Sequence, residues 1–574
     1  MITVTLLSFL PYKLNLICNF IKGKQREPIE EGGFEMKKRW SFMAMIRPLF
    51  VVLLVTAMAC LVLLSSNPQS APPARASSQT ETDGYYKHDG VSNQSTTSRS
   101  EDMLLGSLLS PDLDEHSCMS RYQSGLYRKT SPHNPSTYLV SKLRNYEALH
   151  KRCGPNTLLY NKSVEQLRTN HSTDQLECNY VIWTPLGGLG NRMLTLASTF
   201  LYALLTGRVL LVDHATDFVD LFCEPFPGSS WVLPSNFPIE SLNSFDVDSK
   251  MSYGYLMKHN LISEDPKTWS EMLPSFVYVH LESTYIWDMY HQLFFCDDSH
   301  FVLSKINWLL LKSDNYFLPG LFMLSTFENE LSRMFPSRET VFHHLSRYLF
   351  QPGNSVWELA MKYYHSYVAM ANQTVGIQIR DFPWSLMSKE DRFNQIMDCT
   401  LKENILPHVT QHSRKTTYLN TDEMGSKAIL VISLYKDYYD RMKSYYARST
   451  HVGQHVNVYQ PSHEEAQQLK NQSHNEKALA EIVLLSFSDV LVTSAWSTFG
   501  YVSYNFAGVK PWILLSSKVS KEVHPPCRRV TTMDPCFHTP PSINCKTKRR
   551  SKTKLTGAHI KQCEDVEEGI KLVD

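Results

Sequence analysis

Three glycines stand close together in the stretch VIWTPLGGLGNRMLTLASTFLYALLTGRVLLVD, at Gly187, Gly188 and Gly190, and Asn191 and Arg192 follow them. The pattern around them reads strand, loop, helix and strand. A glycine-rich turn that enters a helix presents backbone N–H groups and the positive end of the helix dipole, which favour a phosphate or another anion. Arg192 adds a cation at the same place, so the loop is a candidate anion site.

Two well-known nucleotide motifs do not fit this loop. A dinucleotide fingerprint requires a third glycine or alanine for close packing of helix on strand, and Met193 stands at that place. A P-loop requires Gly-Lys followed by Ser or Thr, whereas Asn191 and Arg192 follow Gly190. The remaining alternatives are an anion site of another kind and a tight turn that only lets helix and strand pack.

Two predicted strand ends carry further candidate groups. Arg380 ends the alternating stretch TVGIQIR, and the planar fork of an arginine donates two parallel hydrogen bonds to a diphosphate. A surface salt bridge with Asp381 is the alternative. In VLVTSAWSTFGYV a strand ends before Ser497, Thr498 and Phe499. Hydroxyl and backbone donors in such a turn either hold a phosphate or only cap the next helix.

Two further stretches carry side chains that could take part in group-transfer chemistry, which requires a group that accepts a proton from the acceptor hydroxyl. Asp314 in LLLKSDNYF follows a buried strand pattern and is the candidate general base, which must lie within hydrogen-bond distance of the acceptor hydroxyl. His343, His344 and Arg347 in FHHLSRYLF are candidate acceptor-binding residues on a predicted helix. For each of these side chains, a structural role in the core is the alternative. The sequence DVD at 246–248 is like a metal-nucleotide motif of glycosyltransferases, but no convincing strand precedes it, so no metal site is predicted.

The elements that position these residues follow one pattern, in which apolar, β-branched runs alternate with helical stretches. Such alternation is typical of parallel sheets covered by helices, and its two separate regions predict two α/β domains, 151–365 and 366–520. Ligands of this architecture bind at the carboxyl ends of the strands, where the candidate residues stand. A cysteine-rich segment, 521–574, follows the second domain.

The chain begins with a predicted membrane anchor and stalk. The run LFVVLLVTAMACLVLLSS, residues 49–66, is apolar and long enough to cross a bilayer, which takes roughly 17 to 25 residues. Basic residues precede it and the first charge after it is Arg75, so 1–48 is predicted to be cytosolic and the bulk of the chain lumenal or extracellular. A cleaved signal peptide is the alternative, and Met36 is an alternative start. Residues 67–150, rich at first in Ser, Thr, Pro and Gln, are predicted to be a stalk.

The cysteines and the glycosylation sequons agree with a lumenal location, whereas the net charge is uninformative. Ten of the twelve cysteines lie beyond the predicted anchor, enough for up to five disulfides. A zinc cluster of the last four is the alternative, although none of their spacings is Cys-x-x-Cys. Glycosylation sequons occur at Asn93, Asn161, Asn170, Asn372 and Asn471. Lysine and arginine total 57 against 56 aspartate and glutamate, and this net charge of +1 gives no argument for a nucleic-acid partner.

Four stretches taken together, GGLGNR, VGIQIR, KALAEIVLLSFSDVLVTSAWSTFGYV and CFHTPP, strongly resemble the plant cell-wall fucosyltransferases, the family of xyloglucan α-1,2-fucosyltransferase. The resemblance implies a GT-B-like fold of two Rossmann-like domains facing across a cleft. It implies GDP-fucose as donor, inversion at the fucose carbon, and no metal or other cofactor. It also implies a galactose-terminated xyloglucan or arabinogalactan as acceptor, and a single-pass type II protein of the Golgi membrane with its catalytic part in the lumen.

The resemblance also assigns roles to residues. It makes Arg380 the match to the family's donor-diphosphate arginine, with a role in catalysis as well as binding, while Asp314 remains the candidate base. The predicted donor-binding set is Gly188, Gly190, Asn191, Arg192, Arg380, Ser497, Thr498 and Phe499. The 151–365 domain would serve the acceptor and the 366–520 domain GDP-fucose.

Two other classes of function stay open at this point. One is a transferase that uses a different nucleotide sugar or a sulfate donor, and the other is a non-catalytic glycan-binding protein of the same fold. The presence of Arg380 together with the glycine loop argues against a pure binder, which has no need of a diphosphate cradle. Formation of a homodimer, or of a complex with other glycosyltransferases, is also left open.

Overall fold

The computed structural model describes residues 104–114, 116–169, 171–172, 176–214, 218–263, 273–408, 425–447, 454–469, 471–518, 520, 522–551 and 557–574. The predicted cytosolic segment and membrane anchor, as well as Asn93 and Asn170, lie outside these residues. Within the described ranges, no helix combines the length and the apolar character that crossing a membrane requires.

Four parallel strands form the first sheet, in the order β2-β1-β4-β3. They are β1 (Asn179–Thr184), β2 (Arg208–Val212), β3 (Phe276–Leu281) and β4 (Trp308–Ser313). Both faces of the sheet are covered: Val181 and Trp183 of β1 lie in one hydrophobic cluster, and Tyr180 and Ile182 lie in another. Burial on both faces explains why these strands are continuous apolar runs, and it confirms the strands predicted at β1 and β2.

Ten helices belong to the first half of the described chain. They are α1 (Met119–Tyr127), α2 (Thr137–Cys153), α3 (Leu158–Leu167), α4 (Leu189–Thr206), α5 (Tyr253–Lys258), α6 (Met289–Gln292), α7 (Asp297–Ser304), α8 (Leu318–Leu321), α9 (Glu328–Met334) and α10 (Val341–Leu349). Helix α4 connects β1 to β2 and is buried along nearly its whole length, since it lies between the first sheet and the helices of the second half.

The predicted stalk is wrong for its C-terminal part. Helix α1 packs against the helix Asn354–Tyr363 and α2 packs against β2, although α1 and most of α2 lie within the range 67–150 that was predicted to be a stalk. Leu139 and Leu143 of α2 are fully buried, and the Tyr146 hydroxyl donates to the carbonyl of Arg208 over 2.9 Å. The polar composition that indicates a tether ends before α1, whereas the apolar residues of α2 recur at helical spacing.

Six strands form the second sheet, in the order β10-β9-β8-β5-β6-β7. They are β5 (Gln373–Ile379), β6 (Gly425–Ser433), β7 (Gln454–Tyr459), β8 (Val490–Ser494), β9 (Trp512–Leu514) and β10 (Cys527–Arg529). All neighbours are parallel except β10. The helices of this half are α11 (Asn354–Tyr363), which continues into a π-helical turn, α12 (Lys389–Lys402), α13 (Asp437–Ala447), α14 (Gln472–Leu485) and α15 (Thr498–Ala507). Two parallel sheets covered by helices confirm the predicted α/β class.

One hydrophobic cluster joins the two halves, because it contains residues of both sheets and of α4, α10, α14 and α15. Helix α11 falls inside the predicted first domain, yet it packs against α14 of the second half. The change between the two halves therefore comes before Asn354 and not at residue 365.

The C-terminal segment is tied to both halves. All ten cysteines of the described chain form disulfides, Cys118–Cys223, Cys153–Cys178, Cys296–Cys545, Cys399–Cys527 and Cys536–Cys563. This confirms five disulfides and excludes the zinc cluster. Two small hairpins complete the segment, β11 (Ile543–Asn544) with β12 (Arg549–Arg550), and β13 (Ile560–Gln562) with β14 (Ile570–Leu572).

Candidate active site

A cavity of about 450 Å³ lies where the strand ends of the two sheets converge. Its wall includes residues that follow β1, β4, β5, β6, β7 and β8, together with residues of the C-terminal segment. Carboxyl strand ends are where ligands bind in parallel α/β sheets, as the sequence predicts. Seven of the eight predicted donor-binding residues line this cavity: Gly188, Gly190, Asn191, Arg380, Ser497, Thr498 and Phe499.

The glycine loop brings two helices together at their N-terminal ends. A Cβ added to Gly190 would lie 2.7 Å from the backbone nitrogen of Phe499 and 2.7 Å from the carbonyl carbon of Thr498. The start of α4 therefore contacts the start of α15 directly, and the Thr498 hydroxyl donates to Asn191 Oδ1 over 2.6 Å. Two positive helix ends on one wall of the cavity favour an anion there.

Arg380 enters the cavity from the end of β5. Its backbone nitrogen donates to Ser494 Oγ over 2.9 Å, and its Nη2 donates to Gln467 Oε1 over 2.6 Å. The alternative partner Asp381 instead accepts a hydrogen bond from Tyr438 over 2.6 Å. Burial lowers the pKa of Arg380 below its ordinary value, but a guanidinium stays charged in proteins. The Arg380 guanidinium thus lines the same cavity as the N-terminal ends of α4 and α15.

The turn after β8 combines capping with backbone strain. Ser497 Oγ caps α15 by accepting from the Gly500 nitrogen over 3.4 Å, so the capping alternative is present. Trp496 has a φ of +63°, in the left-handed region that bulky residues rarely adopt. Its nitrogen donates to Asp565 Oδ2 over 3.1 Å. The C-terminal segment therefore holds this turn in place.

Asp314 lies on the first-sheet side of the cavity, directly after β4. Its Oδ1 accepts from the Ser283 nitrogen and from Asn315 Nδ2, each over 2.7 Å, and its Oδ2 accepts from Ser283 Oγ over 2.6 Å. A carboxylate oxygen offers about two lone pairs. The contacts above leave one on Oδ2, so a fixed carboxylate keeps room for one further hydroxyl.

His538 of the C-terminal segment lines the cavity, and sequence reasoning did not identify it as a site residue. Tyr501 donates its proton to Asp565 Oδ2 over 2.5 Å, so its oxygen accepts from His538 Nε2 over 3.1 Å. The neutral ring then has its lone pair on Nδ1. Burial lowers the pKa of His538 below its ordinary value, while Asp565 and Asp314 act in the opposite direction. The signal available in the sequence was its place inside the CFHTPP stretch.

Helix α14 forms a further wall that sequence reasoning missed. His474, Lys477, Ala478 and Glu481 line the cavity, at the i, i+3, i+4, i+7 spacing of one helix face. Burial raises the pKa of Glu481 to about 8, although Ser462 Oγ donates to its Oε1 over 2.7 Å. The spacing was visible in HNEKALAE, but nothing in it tells which helix face meets a ligand.

Comparison with known proteins decides the family. A family model described as xyloglucan fucosyltransferase matches residues 77–546. The chain belongs to this family. It is 45% identical over 507 residues to a galactoside 2-alpha-L-fucosyltransferase of Pisum sativum, covering 88% of each chain. It is 46% identical over 479 residues to a galactoside 2-alpha-L-fucosyltransferase of Arabidopsis thaliana, covering 83% of this chain and 84% of the relative.

A solved structure supports the fold as well as the family. The structure of a point mutant of Arabidopsis thaliana FUT1 in complex with GDP matches with a TM-score of 0.75 and 46% identity. The match covers 82% of this chain and 100% of that chain. The predicted resemblance is thereby confirmed, and this protein is a fucosyltransferase with an α/β glycosyltransferase fold.

Arg192 of this fucosyltransferase does not reach the cavity. Its side chain is only 5% exposed; Nε donates to the Gly187 carbonyl over 2.8 Å and Nη2 to the Leu469 carbonyl over 2.7 Å. The arginine fastens the glycine loop to the segment before α14. The structure thus places Arg192 outside the lining of the cavity, and its contact with the donor stays a prediction.

The three predicted acceptor-binding residues also lie outside the lining of the cavity. His343, His344 and Arg347 of α10 are buried at 1%, 5% and 7% exposure, and none lines the cavity. His343 Nδ1 contacts the Asn505 carbonyl over 2.5 Å, and burial lowers the pKa of His344 to about 3. These side chains pack α10 against α15, which was the structural alternative.

The remaining predictions concern metal ligation and glycosylation. The backbone nitrogen of Asp248 donates to Asp246 Oδ1 over 3.1 Å. Both residues lie in an exposed turn away from the cavity wall. In the part of the chain that is described, the cluster of metal-ligand types is Cys536, Cys563 and Asp565, but the two sulfurs are bonded to each other. The sequons Asn161, Asn372 and Asn471 lie on exposed residues.

Proposed function

We propose that this fucosyltransferase moves L-fucose from GDP-fucose to the 2-hydroxyl of a terminal galactose on a plant cell-wall glycan, xyloglucan or arabinogalactan, with inversion at the fucose carbon. The names of the Pisum and Arabidopsis relatives and the GDP in the FUT1 complex support this assignment. The observation that carries it is the convergence of Arg380 and two helix N-termini on one wall of the cavity.

The donor's diphosphate would lie against this wall. Arg380 contributes a full positive charge, and the first turns of α4 and α15 contribute backbone N–H groups. During transfer the bond between fucose C1 and the phosphate oxygen breaks, and GDP departs with the bonding electrons. Fixed donors that stabilise this developing charge are worth a large share of the rate enhancement.

The acceptor would enter from the side of Asp314 and His538. Its hydroxyl oxygen attacks fucose C1 on the face opposite to GDP, which forms the new glycosidic bond and inverts the carbon. The hydroxyl proton passes to the free lone pair of Asp314 Oδ2, directly or through water. Since Ser283 and Asn315 hold this carboxylate, the proton acceptor is already oriented before the acceptor binds.

We further propose that the protein is a type II membrane protein of the Golgi, anchored by 49–66 with the catalytic part in the lumen. Five disulfides fit an oxidising compartment. The exposed sequons at Asn161, Asn372 and Asn471 are accessible to glycosylation. No metal ion or other cofactor enters the proposed reaction.

The test incubates the full-length protein with GDP-fucose and EDTA, and with galactose-terminated oligosaccharides of xyloglucan or of arabinogalactan in separate reactions. We expect one acceptor to gain the mass of one deoxyhexose, with Arg380→Ala as the inactive control. Transfer that stops on EDTA addition would contradict the metal-free reaction. Absence of transfer to both acceptors, with GDP binding intact, would overturn the proposed acceptor class and retain the donor site.

A further inference from the structure

We propose that Phe382, Trp384 and Trp496 form an aromatic platform that stacks against a sugar ring of the acceptor, next to the galactose that receives fucose. The proposal rests on the proposed function, since it names where that acceptor lies. It concerns a group of side chains at the rim of the cavity, two of which, Phe382 and Trp496, also line it.

The three rings form a continuous surface. Phe382 and Trp384 are stacked, with centroids 5.0 Å apart and planes at 16°. Trp384 and Trp496 meet edge to face at 5.7 Å and 67°. All three are partly exposed. Two indoles at this angle form a corner with apolar walls, and the C–H face of a pyranose matches such a surface in size and in polarity.

Strain at Trp496 argues that its orientation has a purpose. A tryptophan at a φ of +63° persists only where the surrounding structure imposes it. Asp565 imposes this conformation by accepting a hydrogen bond from the backbone nitrogen of Trp496, and the Cys563–Cys536 disulfide fixes the residues next to Asp565. The C-terminal segment thus holds an indole at the mouth of the cavity in a conformation that an unconstrained chain would avoid.

The position of the platform identifies its occupant. The Trp496 ring lies 5.0 Å from the ring of His538, and His538 lines the same cavity as Asp314. Trp384 stands beyond the cavity wall. A galactose at Asp314 therefore extends its parent chain toward Trp496 and Trp384. Phe382 lies 5.7 Å from the guanidinium of Arg380 and is the member of the platform nearest the donor, whereas the two tryptophans lie on the acceptor side. The occupant is a neutral sugar of the glycan.

Lys518 supplies a polar group to the same corner. Its Nζ lies 5.0 Å from the centroid of Trp496 and 5.7 Å from that of Trp384. The side chain is exposed, so it moves aside at little cost when a sugar face takes its place. The ammonium then donates to sugar hydroxyls, whereas the rings contact the C–H groups. Aromatic faces combined with one such donor suit a carbohydrate.

The test compares acceptors of different length in the full-length protein. Wild type and Trp384→Ala are assayed with methyl β-galactoside and with whichever galactose-terminated oligosaccharide the wild type fucosylates. We expect the KM for the oligosaccharide to rise about tenfold in Trp384→Ala. The KM for methyl β-galactoside, the kcat for either acceptor and the Kd for GDP stay as in the wild type, because Trp384 lies outside the cavity wall.

Two variants serve as controls. Trp384→Phe keeps an aromatic ring and retains most of the oligosaccharide affinity. Leu386→Ala removes an apolar side chain of the same loop that is 49% exposed, and it behaves as wild type. An unchanged oligosaccharide KM in Trp384→Ala would overturn the platform. Weaker GDP binding in that variant would overturn it too, since the platform would then hold the nucleobase.

Failure of the proposed function has a different signature. In that case the wild type transfers fucose to neither glycan, and the platform is tested by calorimetric titration of the wild type and Trp384→Ala with the xyloglucan oligosaccharide. Binding by the wild type that Trp384→Ala weakens would support the platform. Absence of binding to the wild type, or equal binding to both proteins, would overturn it.

Discussion

The two sheets bring arginines to the cleft in different ways. Arg192, at the first-sheet edge, donates to two backbone carbonyls and is 5% exposed. Arg380, at the second-sheet edge, lines the cavity, where its guanidinium donates to the exposed side chain of Gln467 and lies 5.7 Å from the ring of Phe382. Arg192 lies in a helix turn, where carbonyl groups of neighbouring loops are close. Arg380 lies one residue beyond its strand, so its side chain extends past the hydrogen-bonded part of the sheet. The first builds the wall and the second is free to meet the donor.

Arg380→Ala should show the largest difference in activity between the two arginines. In Arg380→Ala we expect kcat/KM for GDP-fucose to fall by about 10²- to 10³-fold, because a charge that stabilises the leaving diphosphate is lost. The Tm should stay near the wild-type value, since the side chain supports no core residue. Measurements are initial rates of fucose transfer and thermal melts.

The matched variant at the other edge is Arg192→Ala. It should lower the Tm, because the Gly187 and Leu469 carbonyls lose a buried donor. If Arg192→Ala lost activity at an unchanged Tm while Arg380→Ala stayed active, the contrast between the two arginines would be reversed.

Asp314→Asn tests the proposed role of Asp314, at the edge of the first sheet, as the group that receives the acceptor proton. An amide of the same size cannot take the acceptor proton, so we expect kcat to fall by about 10²-fold or more. The Kd for GDP should be unchanged, because the proposed diphosphate contacts are Arg380 and the first turns of α4 and α15, and Asp314 is not among them. Single-turnover rates and calorimetry measure the two quantities. A variant as fast as wild type would show that water or another group receives the proton.

Removing each of two disulfides that close short loops tests what the C-terminal segment contributes to the cleft. Cys536–Cys563 and Cys153–Cys178 close loops with sequence separations of 27 and 25. Because loop length sets the chain-entropy effect, replacing either pair by serines should lower the Tm by a similar amount. Only Cys536→Ser with Cys563→Ser should also reduce transfer, by about tenfold or 1.4 kcal/mol, since His538 and Asp565 flank that bridge.

Equal activity losses for the two disulfide variants would mean that general destabilisation, and not the position of His538, causes the effect. Rates are therefore compared at a temperature well below both melting transitions.

The contact between the two helix starts is tested by Gly190→Ala. A methyl group there meets backbone atoms of Thr498 and Phe499 at 2.7 Å, so α15 must move. We expect a stability loss of about 1–3 kcal/mol and weaker GDP binding. In Gly188→Ala the methyl meets Gln467 Nε2 at 2.8 Å and Leu469 Cδ2 at 3.8 Å, and the flexible Gln467 side chain yields. Chemical denaturation of both variants should give the smaller loss for Gly188→Ala, and the opposite order would contradict the close approach at Gly190.

The smallest expected effect is the pH dependence that Glu481 confers on stability. Burial raises the pKa of Glu481 to about 8 from the ordinary value of 4.5, against the hydrogen bonds from Ser462 and the charge of Lys477. Between these values the folded chain keeps a proton that the unfolded chain releases. The free energy of unfolding therefore falls as pH rises through this window, by at most about 1.4 kcal/mol per pH unit, and levels off above it.

Glu481→Gln removes this titration, so its Tm should decline less between about pH 5 and 8 than that of the wild type. Asp534, whose pKa burial raises to about 7, leaves a residual slope of the same sign. Parallel Tm profiles for the two proteins would contradict the buried, protonated state of Glu481.

The strand ends and the glycine loop were predictable because they are local patterns. β1, α4 and β2 follow from apolar runs separated by glycines, and Arg380 follows from the alternation that ends at its position. The facing of helices was not predictable in this way. His343 and His344 lie on a helix whose polar residues point into the core, while Glu481 lies on one whose polar stripe meets the cavity. Only tertiary packing distinguishes these two cases.

Long-range contributions were missed for a related reason. His538 reaches the cavity because disulfides and Asp565 fold the C-terminal segment back onto α15. The connectivity of cysteines cannot be inferred from their spacing. The sequence therefore indicates that this segment forms disulfides, but not that it carries site residues. The stalk boundary failed because composition averages over a range in which the apolar spacing of α2 had already begun.

The most direct test of the donor site is calorimetric titration of the full-length wild type and Arg380→Ala with GDP, with UDP as the control nucleotide. We expect the wild type to bind GDP more tightly than UDP, and Arg380→Ala to weaken GDP binding by at least about tenfold, the loss of one charge-assisted diphosphate contact. Equal GDP affinity in the two proteins would contradict the assignment of Arg380 and of the cavity wall that it shares with the two helix ends.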